Sequence, residues 1–100
     1  MPYTYELAPH GRTLATRPLG GQLRADLVNK AVDEHAVGLD FSEVTSISQS
    51  FADEFVARLV EEVKSGDVKF EVTLSGLTIE VERVIRKALE RRGLELPIPV

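Results

Sequence analysis

Residues 37–55 read VGLDFSEVTSISQSFADEF, and this stretch decides the fold. Its first five residues are mostly apolar, which is typical of a strand covered on at least one face. A polar turn follows, and large apolar residues then recur every four positions, as on one side of a helix. The repeat comprises Phe51, Phe55, Leu59 and Val63. We therefore predict a strand, a loop and a helix from about Ser50 to Lys64, with Phe41 and the first three repeat residues in the core.

The N-terminal part predicts a β-hairpin followed by a helix. Residues 3–7 alternate between apolar and polar, the period-two pattern of a strand with one buried face. The Pro-His-Gly sequence at 9–11 suits a tight turn, after which 12–16 can return antiparallel to the first strand. Beyond Gly21 the spacing becomes that of a helix ending near His35. Its apolar positions are Leu23, Leu27, Val28, Ala31 and Val32.

The C-terminal part predicts one more strand and one more helix. Residues 70–74 alternate as in a strand with one polar face. The spacing of Val81, Val84, Ile85, Ala88 and Leu89 is typical of an amphipathic helix. Gly93 is suited to a left-handed cap at its end. The remaining segment, 94–100, contains two prolines and is predicted to be an extended tail.

The predicted order β-β-α-β-α-β-α gives an α/β fold, with a mixed sheet of four strands and three helices mainly on one face. A chain of 100 residues with 43% hydrophobic residues is expected to form a single domain spanning 1–100. Its core would cover about 3–93 and its tail 94–100.

Charge and composition exclude several classes of function. A net charge of −4 disfavours a dedicated nucleic-acid binder. We expect no membrane span and no signal peptide, and the lack of cysteine agrees with a cytoplasmic location. The two histidines lack metal-ligand spacing, no base is placed beside a serine, and Gly20-Gly21 does not begin a phosphate-binding loop. We therefore predict no catalytic residue, no metal, no cofactor and no enzyme activity.

Ser50 is the most informative polar residue of the central stretch. It precedes Asp53 by three positions at the predicted helix start, so the pair resembles a capping box. On this interpretation Ser50 only stabilises the helix.

The same residues also resemble a known family. Residues 39–55 are similar to the centre of STAS domains, the sulfate-transporter and anti-sigma-factor-antagonist fold. The similarity is closer to STAS-like domains of unknown function, which share the Ser-Phe-Ala-Asp-Glu helix opening at 50–54 and the Thr-Arg then Gly pattern at 16–20. The resemblance implies that Ser50, or less directly Ser48, is a phosphoacceptor for a GHKL-type kinase.

Arg17 is the second candidate site residue. Parallel strands bring their carboxyl ends to a common edge, so the Arg17 loop and the loop at 48–50 are expected to be neighbours. Arg17 and Asp53 are then candidate contacts for an anion or a partner. Alternatively, Arg17 forms an ion pair with Asp40 or Asp53 that connects two loops.

The last predicted helix carries the basic residues Arg83, Arg86, Lys87, Arg91 and Arg92. Pairing of Arg86 with Glu82 and Glu90 would make this a partly neutralised solvent face, whereas an acidic partner is the alternative. No aromatic residue is interleaved, so stacking on single-stranded nucleic acid is not expected.

Together these features predict a non-enzymatic STAS-like interaction module in prokaryotic signalling, with a protein partner and a serine-controlled switch. The alternative is a ligand- or nucleotide-binding sensor that uses the loop edge near Arg17 and Ser50. An exposed, roomy pocket lined by Arg17 and helix amides would favour the sensor, and a filled edge with an apolar surface patch would favour the interaction module.

Overall fold

The structure, a computed structural model, describes residues 3–97. Within this range three helices form: α1 (Arg17–Lys30), α2 (residues 49–65) and α3 (Ile79–Arg91). The strands are β1 (Tyr3–Glu6), β2 (Thr13–Leu14), β3 (Ala36–Asp40), β4 (Ser46–Ile47) and β5 (Glu71–Ser75). No described helix has the length and apolar character needed to cross a membrane. The end of the predicted tail, 98–100, lies outside the described residues.

The strands form two parallel sheets. The larger has the order β1-β3-β5, with Tyr5, Leu39 and Leu74 in register, and the smaller pairs β2 with β4. The predicted hairpin is therefore wrong, and so is the single mixed sheet of four strands. Strand β3 is the apolar centre of the larger sheet and has β1 on one edge and β5 on the other. A short 3₁₀ helix, Ala8–His10, carries the chain from β1 into the second sheet.

One face of the larger sheet is buried. Buried residues alternate along the strands with exposed or half-buried ones, as expected for a sheet with one covered face. The buried set includes Tyr5, Val37, Leu39, Val72 and Leu74. The ring of Tyr5 lies 6.2 Å from that of Phe55 in α2, so this face meets the helical layer.

Helix α2 supplies the centre of the core. The predicted core residues Phe41, Phe51, Phe55 and Leu59 are all fully buried, which confirms the helix phase. The Phe51 and Phe55 rings stack with centroids 5.5 Å apart. The middle of α2, Ala52–Ala57, is a π-helix in which the Arg58 N–H donates to the Asp53 carbonyl five residues back.

Helix α1 begins earlier than predicted and ends at Lys30, before His35. Thr16 caps it, because its hydroxyl accepts a 3.2 Å hydrogen bond from the Leu19 amide, and a proline follows at Pro18 in the first turn. Gly20 lies where α1 approaches α2. A Cβ there would be 3.1 Å from the Glu54 Cβ and 3.2 Å from the Phe51 carbonyl, so glycine permits the close contact.

The C-terminal segment follows the prediction closely. Gly93 adopts a φ of 71°, and hydrogen bonds from Gly93 to Glu90 and from Leu94 to Leu89 complete a left-handed helix end. Leu94 is buried, and the Leu74 amide of β5 donates a 3.1 Å hydrogen bond to the Pro97 carbonyl. The described part of the tail therefore lies beside the edge of β5.

Candidate functional site

A surface cavity of about 290 Å³ lies where the N-terminal ends of α1 and α2 meet the C-terminal half of α3. It is lined by Arg17, Gln49, Ser50, Asp53, Ala88 and Arg91. Three of the residues predicted for the site, Arg17, Ser50 and Asp53, are thus brought together. The fourth, Ser48, lies immediately before α2.

Ser48, rather than Ser50, caps α2. The Ser48 hydroxyl accepts a 3.0 Å hydrogen bond from the Phe51 amide and donates a 2.7 Å hydrogen bond to the Ala15 carbonyl. Its backbone is extended, as the cap position requires. The predicted capping box of Ser50 and Asp53 is therefore wrong, because the helix begins at Gln49 and its cap is two residues earlier than predicted.

Ser50 is the second residue of α2 and is exposed to solvent. Its hydroxyl makes no hydrogen bond within residues 3–97, whereas that of Ser48 is bonded on both sides. Ser50 is thus the accessible serine of the site.

Arg17 connects α1 to α2. Its Nη1 donates to Asp53 Oδ2 at 2.9 Å and to Glu54 Oε1 at 3.0 Å, which confirms the predicted pair with Asp53. Asp40 is not its partner, since an Asp40 oxygen instead accepts a 2.9 Å hydrogen bond from the Ser42 amide. Both acids use the same nitrogen of Arg17. The other two guanidinium nitrogens make no hydrogen bond within the described residues.

Asp53 also binds Arg92, at the end of α3. Arg92 donates from Nε to Oδ1 at 2.7 Å and from Nη2 to Oδ2 at 3.0 Å, a bidentate arrangement. The hydrogen bonds from Arg92, with a smaller contribution from Arg17, hold the pKa of Asp53 far below its usual range despite partial burial. Asp53 therefore stays ionised and joins all three helices.

Glu54 is the centre of further ion pairs. Arg24 contacts its Oε2 at 2.8 Å and its backbone carbonyl at 2.9 Å, and also reaches Glu62 Oε1 at 2.8 Å. Burial raises the pKa of Glu54, but hydrogen bonds from Arg24 and Arg17 outweigh it and the pKa is lowered overall. We call this set of contacts the arginine network. It comprises Arg17, Arg24, Arg58, Arg92, Asp53, Glu54, Glu61 and Glu62.

Comparison with known proteins bears on the same region. A family model for STAS-like domains of unknown function matches residues 20–82. The chain belongs to this family. Curated proteins and solved structures gave no match. Within the STAS-like domain, the matched range contains Ser48, Ser50 and Asp53, whereas Arg17 and Arg91 lie outside it.

Most contacts of the arginine network in this STAS-like domain cannot be predicted from the sequence. The Arg24 and Arg92 contacts join residues 30 to 39 positions apart, and no local pattern connects them. The pair of Glu54 with Arg58, four positions apart on α2, is the local signal within the network, because side chains at this spacing meet on one side of a helix.

The basic residues of α3 divide into paired and unpaired ones. Arg86 pairs with Glu82 at 3.1 Å as predicted, but its predicted pair with Glu90 is absent from the described structure. Arg92 belongs to the arginine network. The other three, Arg83, Lys87 and Arg91, are exposed and form no ion pair with residues 3–97.

The site of the STAS-like domain combines the accessible Ser50 hydroxyl with two guanidinium groups, that of Arg17, which ion pairs hold in place, and that of Arg91, which is exposed. No histidine lines the cavity, and the described residues contain no group of three acidic or histidine side chains arranged to hold a metal ion. This arrangement is suited to recognising an anionic group or an acidic surface.

Proposed function

We propose that this STAS-like domain is a non-enzymatic interaction module whose binding to a protein partner is controlled by phosphorylation of Ser50. The observation that carries the proposal is the contrast between two serines. The Ser50 hydroxyl is exposed and unbonded within the described residues, in a cavity that Arg17 and Arg91 also line.

Ser48 is the weaker candidate for the modification. Attaching a phosphate to its oxygen would replace the hydrogen that Ala15 accepts and would disturb the cap on the Phe51 amide. Both contacts hold the start of α2 in place. Phosphorylation of Ser48 would first require the start of α2 to unfold. It is therefore disfavoured relative to phosphorylation of the unbonded Ser50 hydroxyl.

The local charges support a phosphate on Ser50. The first turn of α2 favours an added negative charge, because its free amides and the helix dipole point outward there. Asp53 and Glu54 would repel a phosphate if they were uncompensated, but arginines bind both. Arg17 has two guanidinium nitrogens left for a phosphate while it still holds Asp53.

The modifying enzyme would be a GHKL-type kinase, as the resemblance to anti-sigma-factor antagonists implies. Such a kinase would transfer the terminal phosphoryl group of ATP to the Ser50 oxygen, and the serine proton would leave to a base on the kinase. This proposal includes a cytoplasmic, prokaryotic setting, in which the kinase itself is the first partner to test.

The alternative, a ligand- or nucleotide-binding sensor, has less support. The cavity of about 290 Å³ is slightly smaller than the range of ~300–1,000 Å³ for ligand pockets. Ala88 is the one apolar residue among those that line it, so the cavity holds no aromatic ring on which a nucleobase could stack. A small, charged cavity of this kind fits a protein contact better than a nucleotide.

The deciding experiment is intact-mass analysis of the protein isolated from its native cells, together with identification of what co-purifies with it. We expect a species heavier by one phosphate that disappears in Ser50→Ala, and a partner that is retained by the unmodified form. Ser48→Ala is the matched control and should keep the phosphorylated species. Absence of phosphate under every growth condition, or its persistence in Ser50→Ala, would refute the proposal.

A further inference from the structure

Three basic residues of α3, Arg83, Lys87 and Arg91, repeat at four-residue spacing and therefore lie along one side of the helix. We call them the basic stripe. Arg91 also lines the cavity that contains Ser50, so the stripe runs up to the candidate site. The opposite side of α3 is buried through Val81, Ile85, Ala88 and Leu89, and this fixes the stripe in place.

The basic stripe is not neutralised by its own molecule. Arg86 and Arg92, on the same element, bind acids at 3.1 Å or less, but the stripe residues form no ion pair within 3–97. The helix dipole stabilises a positive charge in the last turn, so it explains why a basic residue stands at Arg91. It does not explain the basic residues Arg83 and Lys87, which lie before that turn. Glu80 and Glu90 flank the stripe without bonding to it in the described structure.

The charge of the basic stripe is opposite in sign to the net charge of the rest of the chain. Its residues contribute +3 to a net charge of −4, so the remainder carries −7. A local cationic surface on an otherwise acidic molecule attracts and orients an acidic partner while other faces repel it.

We propose that the partner of this module presents an acidic protein surface, and that this surface docks on the basic stripe. The inference rests on the proposed function, since it names the chemistry of the partner that Ser50 would control. A phosphate on Ser50 would place negative charge beside Arg91 and oppose the docking of acidic groups. The stripe thus links the modified residue to the surface that it regulates.

An acidic protein fits this surface better than the other polyanions. Helix α3 contains no aromatic residue on which nucleic-acid bases could stack. Its apolar side is occupied by the core, and Ile79 is the one strongly exposed large apolar residue that the described part of α3 offers to a membrane, which is too little for stable insertion.

The test measures binding of a fluorescein-labelled oligoglutamate peptide to the full, unphosphorylated chain by fluorescence anisotropy at low ionic strength. The stripe variant is R83E/K87E/R91E. The control variant, R12E/K64E/K69E, reverses three exposed basic residues that also lack an ion pair in the described structure and reaches the same net charge. We expect the stripe variant to bind at least about tenfold more weakly than the control.

Equal loss of binding in both variants, or no binding by the wild-type chain, would overturn the inference. Tighter binding of oligothymidylate or of phosphatidylserine vesicles through the same residues would overturn it in favour of nucleic acid or membrane. If the reversed variant does not fold, as judged by circular dichroism, R83Q/K87Q/R91Q takes its place, with R12Q/K64Q/K69Q as the control of equal net charge, and we again expect weaker binding by the stripe variant. Since the peptide assay needs no phosphate, its failure is distinguishable from an absence of Ser50 phosphorylation.

Discussion

The Ser48 hydroxyl donates a 2.7 Å hydrogen bond to the Ala15 carbonyl and so joins the loop before α2 to the loop before α1. The same oxygen accepts from the Phe51 amide at 3.0 Å. One hydroxyl therefore fixes both the start of α2 and the position of the Arg17 loop beside it.

Ser48→Ala should consequently lower the free energy of unfolding by about 1 to 2 kcal/mol, since it removes a helix cap and leaves the Ala15 carbonyl without its donor. Ser50→Ala, the neighbouring control, should change it by less than about 0.5 kcal/mol. Urea denaturation of the two variants measures both values. A larger loss in Ser50→Ala than in Ser48→Ala would contradict the cap assignment.

Adjacent glycines of α1 should respond oppositely to alanine. Gly20→Ala brings a Cβ to 3.1 Å from the Glu54 Cβ and 3.3 Å from the Phe55 nitrogen, so α1 must shift away from α2. We expect a loss of about 1 to 3 kcal/mol, reduced in part by the better helix propensity of alanine. At Gly21 the nearest atom would be 3.6 Å away, and Gly21→Ala should be neutral or stabilising. The melting temperatures of Gly20→Ala and Gly21→Ala test this expectation. Similar melting temperatures in the two variants would argue against the close contact between α1 and α2.

Phe55→Ala should destabilise the domain by about 3 to 5 kcal/mol, because it empties a fully buried site between Phe51 and Tyr5. Chemical denaturation at neutral pH is the appropriate measurement. A variant whose free energy of unfolding lies within about 1 kcal/mol of the parent's would mean that α2 packs in another phase.

Asp53 should make stability depend on acid pH. Its pKa is lowered in the folded state, chiefly by Arg92, so its ionised form contributes stability above the unfolded pKa of about 4, and this contribution is lost as the pH falls further. Asp53→Asn should therefore be less stable than the parent at pH 7, and the difference should shrink between about pH 4 and pH 2.

Asp33→Asn is the control for this measurement, because it removes the same charge from an exposed position without an arginine contact in the described structure. Denaturation of the three proteins across the pH series separates a local effect from one of net charge. A difference between Asp53→Asn and the parent that stays constant down to pH 2 would show that the ion pairs contribute nothing.

Sequence periodicity was sufficient for α2, β5 and α3, since each has a repeat that matches its buried face, and a short apolar run was sufficient for β3. It could not predict strand pairing, because the alternation in 3–7 fits either an antiparallel or a parallel neighbour. Strand β4 has only two residues, too few for a period to be read. The start of α1 was missed because Gly20 and Gly21 disfavour a helix locally, whereas contact with α2 favours it.

The sequence predicted that Arg17, Ser50 and Asp53 lie close together, but not that Gln49, Ala88 and Arg91 line the same cavity. Arg17, Ser50 and Asp53 share a cavity because parallel topology places their loops at one edge. The roles of Ser48 and Ser50 differ by a shift of the helix start that single-sequence reading does not resolve. The contacts of Arg24 and Arg92 depend on how α1 and α3 pack against α2, which only the folded chain determines.

The hydrogen bond from the Leu74 amide to the Pro97 carbonyl has a consequence for self-association. An unpaired strand at the border of a sheet is a template on which other chains can add strands and aggregate. Pro97 meets that border of β5 through this hydrogen bond, and Leu94 is buried and anchors the segment that leads to it. Proline has no N–H to donate to a further strand, so intermolecular β-sheet growth is disfavoured along this side.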